Sequence, residues 1–166
     1  MTAERILIIS LVTAAIGNGL VAGVFFAFSS FVMPALARIG PVPGVQAMQS
    51  INVTVVRSLF LVEFIATTIL SAALIVAPWF IASGMPPRLA AVAGVVSVFG
   101  SFGVTMWLNV PLNDRLAVAS PTEPGAATLW ETYLRDWGAA NTGRMAASTI
   151  ASLLFVCAAL TILAEW

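Results

Sequence analysis

Four long stretches of this chain carry no charged side chain. Residues 6–37, 64–87, 89–113 and 145–164 contain no Asp, Glu, Lys or Arg, in runs of 32, 24, 25 and 20 residues. A helix needs about 20 apolar residues to cross a bilayer. The pattern therefore predicts four transmembrane helices, at about 5–33, 56–82, 89–108 and 141–165. Only helices or closed barrels satisfy the backbone within lipid, so the expected fold is all-α: an antiparallel four-helix bundle in the membrane, with residues 1–166 as one domain. The first apolar stretch far exceeds the roughly 7–15 residues of a signal-peptide core and is expected to stay as a span.

Breakers set the expected boundaries. Pro34 is expected to stop helix 1. ARIGPVPG at 37–44 reads as a loop, followed by a short amphipathic turn over 45–52. SGMPPR at 83–88 separates the second and third helices, and NVPLN at 109–113 is expected to break the third. A polar loop containing SPTEPG leads into a helix from about 126–129, which either breaks at Gly138 or runs on into the last span. Gly19 and Gly23 sit four apart, as do Ala93, Ser97, Ser101 and Thr105, a spacing that favours close helix packing.

Polar residues collect at one end. In an up-down-up-down bundle, one membrane face receives Asn52, Arg57 and Glu63, then Asn109, Asn113 and Asp114, then WETYLRDWGAANTGR at 130–144. Within that last segment Trp130, Tyr133, Trp137, Asn141 and Arg144 step by 3, 4, 4 and 3, which places them on one helix face within roughly 80°. A continuous helix would present rings, an amide and a guanidinium in line, suited to a flat aromatic molecule bearing oxygens. The rings also suit an interfacial belt, and Arg144 suits snorkelling to headgroups. Glu63, deep in a span, must be paired, neutral or beside a polar cavity, and Arg144 is its expected partner. Asn109 and Asn113 serve equally as local caps beside Pro111 or as ligand contacts. Asn18 reads as an interhelical hydrogen bond. Asn52-Val53-Thr54 matches a glycosylation sequon but abuts the bilayer.

Composition then narrows the chemistry. The chain is 60% hydrophobic and 8% charged, with net charge zero and no His. That balance argues against nucleic-acid binding, which needs a basic surface. Lack of His removes imidazole bases, His-ligated zinc and Ser-His-Asp triads. GxGxxG and Walker A patterns are missing, so dinucleotides and NTPs are not expected. Arg38, Arg57, Arg115, Arg135 and Arg144 outnumber Arg5 and Arg88, which puts the two longer loops in the cytoplasm.

Four segments together resemble the anthrone oxygenase-like integral membrane proteins: GVFFAFSSFVMPAL at 23–36, AMQSIN at 47–52, WLNVPLNDRLA at 107–117, and W-x2-Y-x3-W-x3-N-x2-R at 130–144. The resemblance implies a four-helix membrane bundle. Through the family's characterised fungal members it implies oxidation of an anthrone to an anthraquinone by molecular oxygen, with no cofactor. It carries over Asn52, Asn109, Asn113, Trp130, Tyr133, Trp137, Asn141 and Arg144 as candidate site positions, without assigned roles.

That reaction needs a base, an oxyanion partner and a dry slot. Glu63 or Tyr133 is the expected base. Arg144 with Asn109 or Asn141 is the expected oxyanion partner. Trp130, Trp137, Phe25 and Phe28 are expected to line the slot, with Arg57, Asn52 and Asn113 as further contacts. The expected ligand is a small hydrophobic or aromatic molecule, such as an anthrone or another phenolic compound, with membrane lipid around the bundle and homo-oligomerisation left open. The alternatives are a non-catalytic module that binds or passes a small hydrophobic molecule, and a helper subunit with a filled bundle end.

Overall fold

A computed structural model describes residues 2–164, and the described residues are mostly helical, without strands. Four helices are long and apolar enough to cross a membrane: α1 (Ala3–Arg38), α3 (Leu59–Phe80), α4 (Met85–Ala117) and α5 (Ala126–Leu163). A shorter helix, α2 (Pro41–Val55), lies between the first two of these. The expected end of the last span at 165–166 lies outside the described residues.

The helices run antiparallel, as two core clusters show. At one end, Leu7 and Leu11 from the start of α1 pack with Leu74 near the end of α3, Ala90 near the start of α4 and Phe155 late in α5. At the other end, Met33 and Leu36 of α1 join Met48 of α2, Leu116 of α4 and Trp130 and Tyr133 of α5. Large apolar side chains such as Ile16, Leu20, Val62, Ile69 and Leu153 point outward, which is the arrangement a lipid solvent requires.

Polar contacts tie the helices where apolar burial in lipid has no driving force. Asn18 donates to Ser71 Oγ on α3 at 3.2 Å and accepts from Ser97 Oγ on α4 at 2.8 Å. Ser148 on α5 meets Ser101 on α4 at 2.9 Å, and Ser152 donates to the Ala15 carbonyl on α1 at 2.7 Å. The close-packed glycines are not the GLVAG pair. A Cβ on Gly23 would meet nothing within 4 Å, whereas one on Gly94 would lie 2.5 Å from the Ser71 carbonyl oxygen.

Neither proline expected to end a helix does so. α1 continues through Pro34 to Arg38, and α4 continues through Pro111 to Ala117. Each proline sits two residues beyond a π-helical turn, Phe28–Val32 in α1 and Thr105–Asn109 in α4. A proline ring ordinarily clashes with the carbonyl four residues back. The wider π turn, bonded i to i+5, gives that carbonyl room, and the helix goes on. α4 carries a further π stretch at Val96–Gly103. The expected loop at 37–44 shrinks to a corner at Gly40, whose φ of 87° suits glycine. The expected turn at 45–52 is part of the longer α2, because Pro41 and Pro43 lack N–H groups that the first helical turn would leave unpaired anyway. α5 runs unbroken through Gly138.

Gly94→Ala is expected to destabilise the protein by about 1–3 kcal/mol through overpacking against the α3 backbone. Gly23→Ala is expected to be neutral or slightly stabilising. Thermal unfolding of both variants in detergent checks the contrast.

Candidate functional site

The continuous α5 does what the 3-4-4-3 spacing requires. Trp130, Tyr133, Trp137, Asn141 and Arg144 are all buried. Their roles divide along the helix. Trp130 stacks on Tyr133 with centroids 5.7 Å apart, and Tyr133 stacks on Trp137 at 6.0 Å. Trp130 also lies so close to α2 that a Cβ on Gly44 would sit 2.7 Å from its ring. The upper stripe is therefore packed core rather than an open clamp. Tyr133 donates its hydroxyl proton to Asn113 Oδ1 on α4 at 2.7 Å.

One turn further on, Asn141 fastens α5 to α1. Its Nδ2 donates to the Phe25 carbonyl at 2.8 Å and to Ser29 Oγ at 2.8 Å. Its Oδ1 accepts from Arg144 Nη2 at 2.7 Å, while Arg144 Nη1 donates to Thr105 Oγ1 at 3.1 Å. The guanidinium carbon lies 4.2 Å from the Phe25 ring centroid and 5.3 Å from that of Trp137. Arg144 is only 5% exposed, and among the described residues no carboxylate lies within salt-bridge distance of it. Its Nε has no partner. A guanidinium cannot shed its proton, so this is a buried, uncompensated cation, held by rings and neutral oxygens.

Arg144 borders a cavity of about 560 Å³, well inside the roughly 300–1,000 Å³ range of small-molecule sites. Phe25, Phe64, Trp137 and Asn141 form its buried inner end together with Arg144 and Thr105. The outer rim comes from two places. Val53, Val56 and Arg57 belong to the junction of α2 and α3, while Val110, Asn113 and Asp114 belong to the last turns of α4. Val53, Val56, Arg57 and Asp114 are exposed, which makes this rim the mouth. Gln49 of α2 straps the two sides together by donating to the Leu116 and Ala119 carbonyls at 2.8 and 3.0 Å.

The π turn in α4 decides which residues face this cavity. At about 100° per residue in a regular α-helix, Asp114 would lie roughly 180° from Thr105, on the opposite side. The π turn Thr105–Asn109 holds an additional residue, which sets the following α-helix back by about 100°. That rotation brings Val110, Asn113, Asp114 and Ala117 round to the side of Thr105, where all of them line the cavity.

The polar inventory is one-sided. Asn52 Nδ2, Trp137 Nε1 and Arg144 Nε are buried donors without partners, and all three residues line the cavity. Asn52 lies alongside the Tyr133 hydroxyl. Buried polar groups are normally paired; Arg144, with no carboxylate partner among the described residues, is the charged group in the buried part of this lining.

Eight of the residues expected from sequence line the cavity: Phe25, Phe28, Asn52, Arg57, Asn113, Trp137, Asn141 and Arg144. Four do not. Trp130 and Tyr133 are packed behind it. Asn109 is buried with its Nδ2 on the Trp137 carbonyl at 3.3 Å. Glu63 is not paired with Arg144; its Oε1 accepts from Thr67 Oγ1 at 2.7 Å, on the side of α3 that meets Gly17 of α1. Phe60, Leu61 and Phe64 are the residues of α3 that line the cavity, and Glu63 lies instead on the face that meets Gly17. Sequence reasoning missed Thr105 and Phe64 as cavity residues, and it noted Asp114 only as part of the polar face. Thr105 was legible as a small residue on a packed face; nothing in its neighbours announced that it holds Arg144. Asn52 is half-buried in the cavity wall, so the sequon match is fortuitous.

A family model described as anthrone oxygenase matches residues 54–154. That stretch takes in Arg57, Asp114, Trp137, Asn141 and Arg144 and leaves out Phe25, Phe28 and Asn52. No curated protein and no solved structure matches the chain.

Tyr133→Phe removes the hydrogen bond to Asn113 while keeping the ring stack. It is expected to cost about 0.5–1.5 kcal/mol of stability, measurable by thermal unfolding in detergent, with the helix content unchanged by circular dichroism.

Proposed function

The chain belongs to the anthrone oxygenase family, and we propose that its cavity binds a flat aromatic ketone or phenol of the anthrone type and oxidises it with molecular oxygen inside the membrane. The observation that carries this reading is Arg144: a buried cation without a carboxylate partner among the described residues, on the lining of a largely apolar cavity. A neutral apolar ligand would leave that charge uncompensated. A carbonyl oxygen beside the guanidinium gives it an acceptor, and an enolate or phenolate oxygen does so better, because its charge grows where the guanidinium already waits.

The ketone oxygen then faces Arg144, with the substrate rings between Phe25, Phe64 and Trp137. An anthrone has acidic hydrogens on the ring carbon opposite the ketone. Removal of one leaves the electron pair spread onto the oxygen at Arg144. The resulting enolate passes one electron to oxygen, and the two radicals join in a carbon–oxygen bond. Protonation gives a hydroperoxide. Loss of the second hydrogen on that carbon, with departure of hydroxide, leaves the quinone and water. The protein's part is to lower the cost of the enolate, to exclude water and to hold the reacting carbon open to oxygen.

A second reading keeps the same cavity without the chemistry. Val53 and Val56 line the mouth and are exposed, which offers an apolar entry from lipid and suits a module that holds or passes a hydrophobic acceptor-bearing molecule.

Oxygen uptake by the protein in lipid nanodiscs, with a simple anthrone as substrate and quinone absorbance as a second readout, tests the choice. Uptake above the spontaneous rate is expected, and Arg144→Met is expected to lower kcat/KM by about 100-fold or more. Arg144→Lys keeps the charge but loses the planar fork, and an intermediate loss is expected. An Arg144→Met rate equal to wild type overturns the oxygenase reading. Saturable binding of anthraquinone without oxygen uptake favours the second reading.

A further inference from the structure

The reaction needs a base, and the two side chains expected from sequence to supply one, Glu63 and Tyr133, do not border the cavity. Asp114 does. Among the described residues it is the one carboxylate on the cavity lining, and it forms no salt bridge there. We propose that Asp114 is the proton acceptor of this site, working from the mouth on the ring carbon opposite the oxygen held by Arg144. The proposal deepens the oxygenase reading and rests on it.

Three features of α4 support the role. The π turn Thr105–Asn109 turns Asp114 to the same side as Thr105, and Thr105 contacts the guanidinium of Arg144. Along the axis the two residues are separated by roughly 13 Å, at about 1.5 Å of rise per residue. Side chains on a helix lean toward its N-terminus, and α4 runs from the far end of the bundle toward the mouth. The carboxylate of Asp114 therefore leans inward, back toward Thr105 and the donors. A flat ketone with its oxygen on Arg144 turns the opposite ring carbon toward the mouth, within reach of Asp114 directly or through one water.

The proton balance closes on this residue. Asp114 takes the first proton from the ring carbon as the electron pair moves to the oxygen at Arg144. It returns that proton to the peroxide anion once oxygen has added. As a carboxylate again, it removes the second hydrogen of the same carbon while the O–O bond breaks, and the departing hydroxide takes this proton as water. The other charged groups on the cavity are Arg57 across the mouth and Arg144 at the inner end. Asp114 itself is exposed at the rim, open to exchange with water between turnovers.

The test compares wild type, Asp114→Asn, Asp114→Glu and Glu63→Gln, each full length in nanodiscs. Oxygen uptake is measured against pH with a simple anthrone and with the same compound deuterated at the reacting carbon, and anthraquinone binding is followed by tryptophan quenching. For Asp114→Asn a fall in kcat of about 100-fold or more is expected, with anthraquinone affinity little changed and a residual rate that climbs with hydroxide. Asp114→Glu is expected to recover part of the rate, and a deuterium effect on Asp114→Asn is expected to be at least as large as on wild type. An active wild type with Asp114→Asn equally fast overturns the role and leaves the oxygenase reading standing. Loss of anthraquinone binding in step with the rate makes Asp114 structural and also overturns it. So does a hydroxide-dependent rate that appears in Glu63→Gln instead. A wild type that takes up no oxygen overturns the oxygenase reading itself, and the role with it.

Discussion

One unneutralised charge organises this protein. The guanidinium of Arg144 is buried inside the bundle with no carboxylate partner among the described residues, and it is held by an amide oxygen, a threonine hydroxyl and two aromatic faces. Water stripped from such a group has to be replaced, or the charge costs several kcal/mol. The replacements come from three helices: Asn141 and Trp137 from α5, Thr105 from α4 and Phe25 from α1. The same Asn141 fixes α1 through the Phe25 carbonyl and Ser29. Holding the cation and joining three helices are therefore one set of contacts. Its cost in stability is offset by the hydroxyl and amide pairs lower in the bundle, around Asn18 and Ser148.

Much of this was legible because the regular helix period is reliable over α5. Five side chains spaced 3, 4, 4 and 3 had to share a face, and they do. Bundle topology then brought them to the same end as Asn52, Arg57 and Asn113 without any knowledge of contacts. The four spans were equally plain, since a charge-free run of 20 or more residues has few other uses. The resemblance to the anthrone oxygenase group, carried by short motifs, agrees with the family match over residues 54–154.

Two of the failures share a cause. Reading Pro34 and Pro111 as helix ends, and placing Asp114 only loosely on the polar face, both assumed unbroken α geometry. Two π turns invalidate that assumption at the positions that shape the cavity. A π turn leaves no composition signal, although a proline two residues beyond it in both helices is a regularity that sequence reading can use. Glu63 misled for a different reason. Its depth in a span pointed correctly to a polar neighbour, but that neighbour is Thr67 on its own helix, and spacing cannot distinguish a local partner from a distant one.

The strap made by Gln49 has a bearing on traffic. Its amide spans from α2 to the carbonyls that finish α4, so the two banks of the opening are tied across their top. A guest cannot enter by prising those helices apart without giving up both bonds at once. Val53 and Val56 lie exposed on the same rim and carry no hydrogen-bonding side-chain group. The opening is thus a hydrogen-bonded frame edged with valine methyl groups.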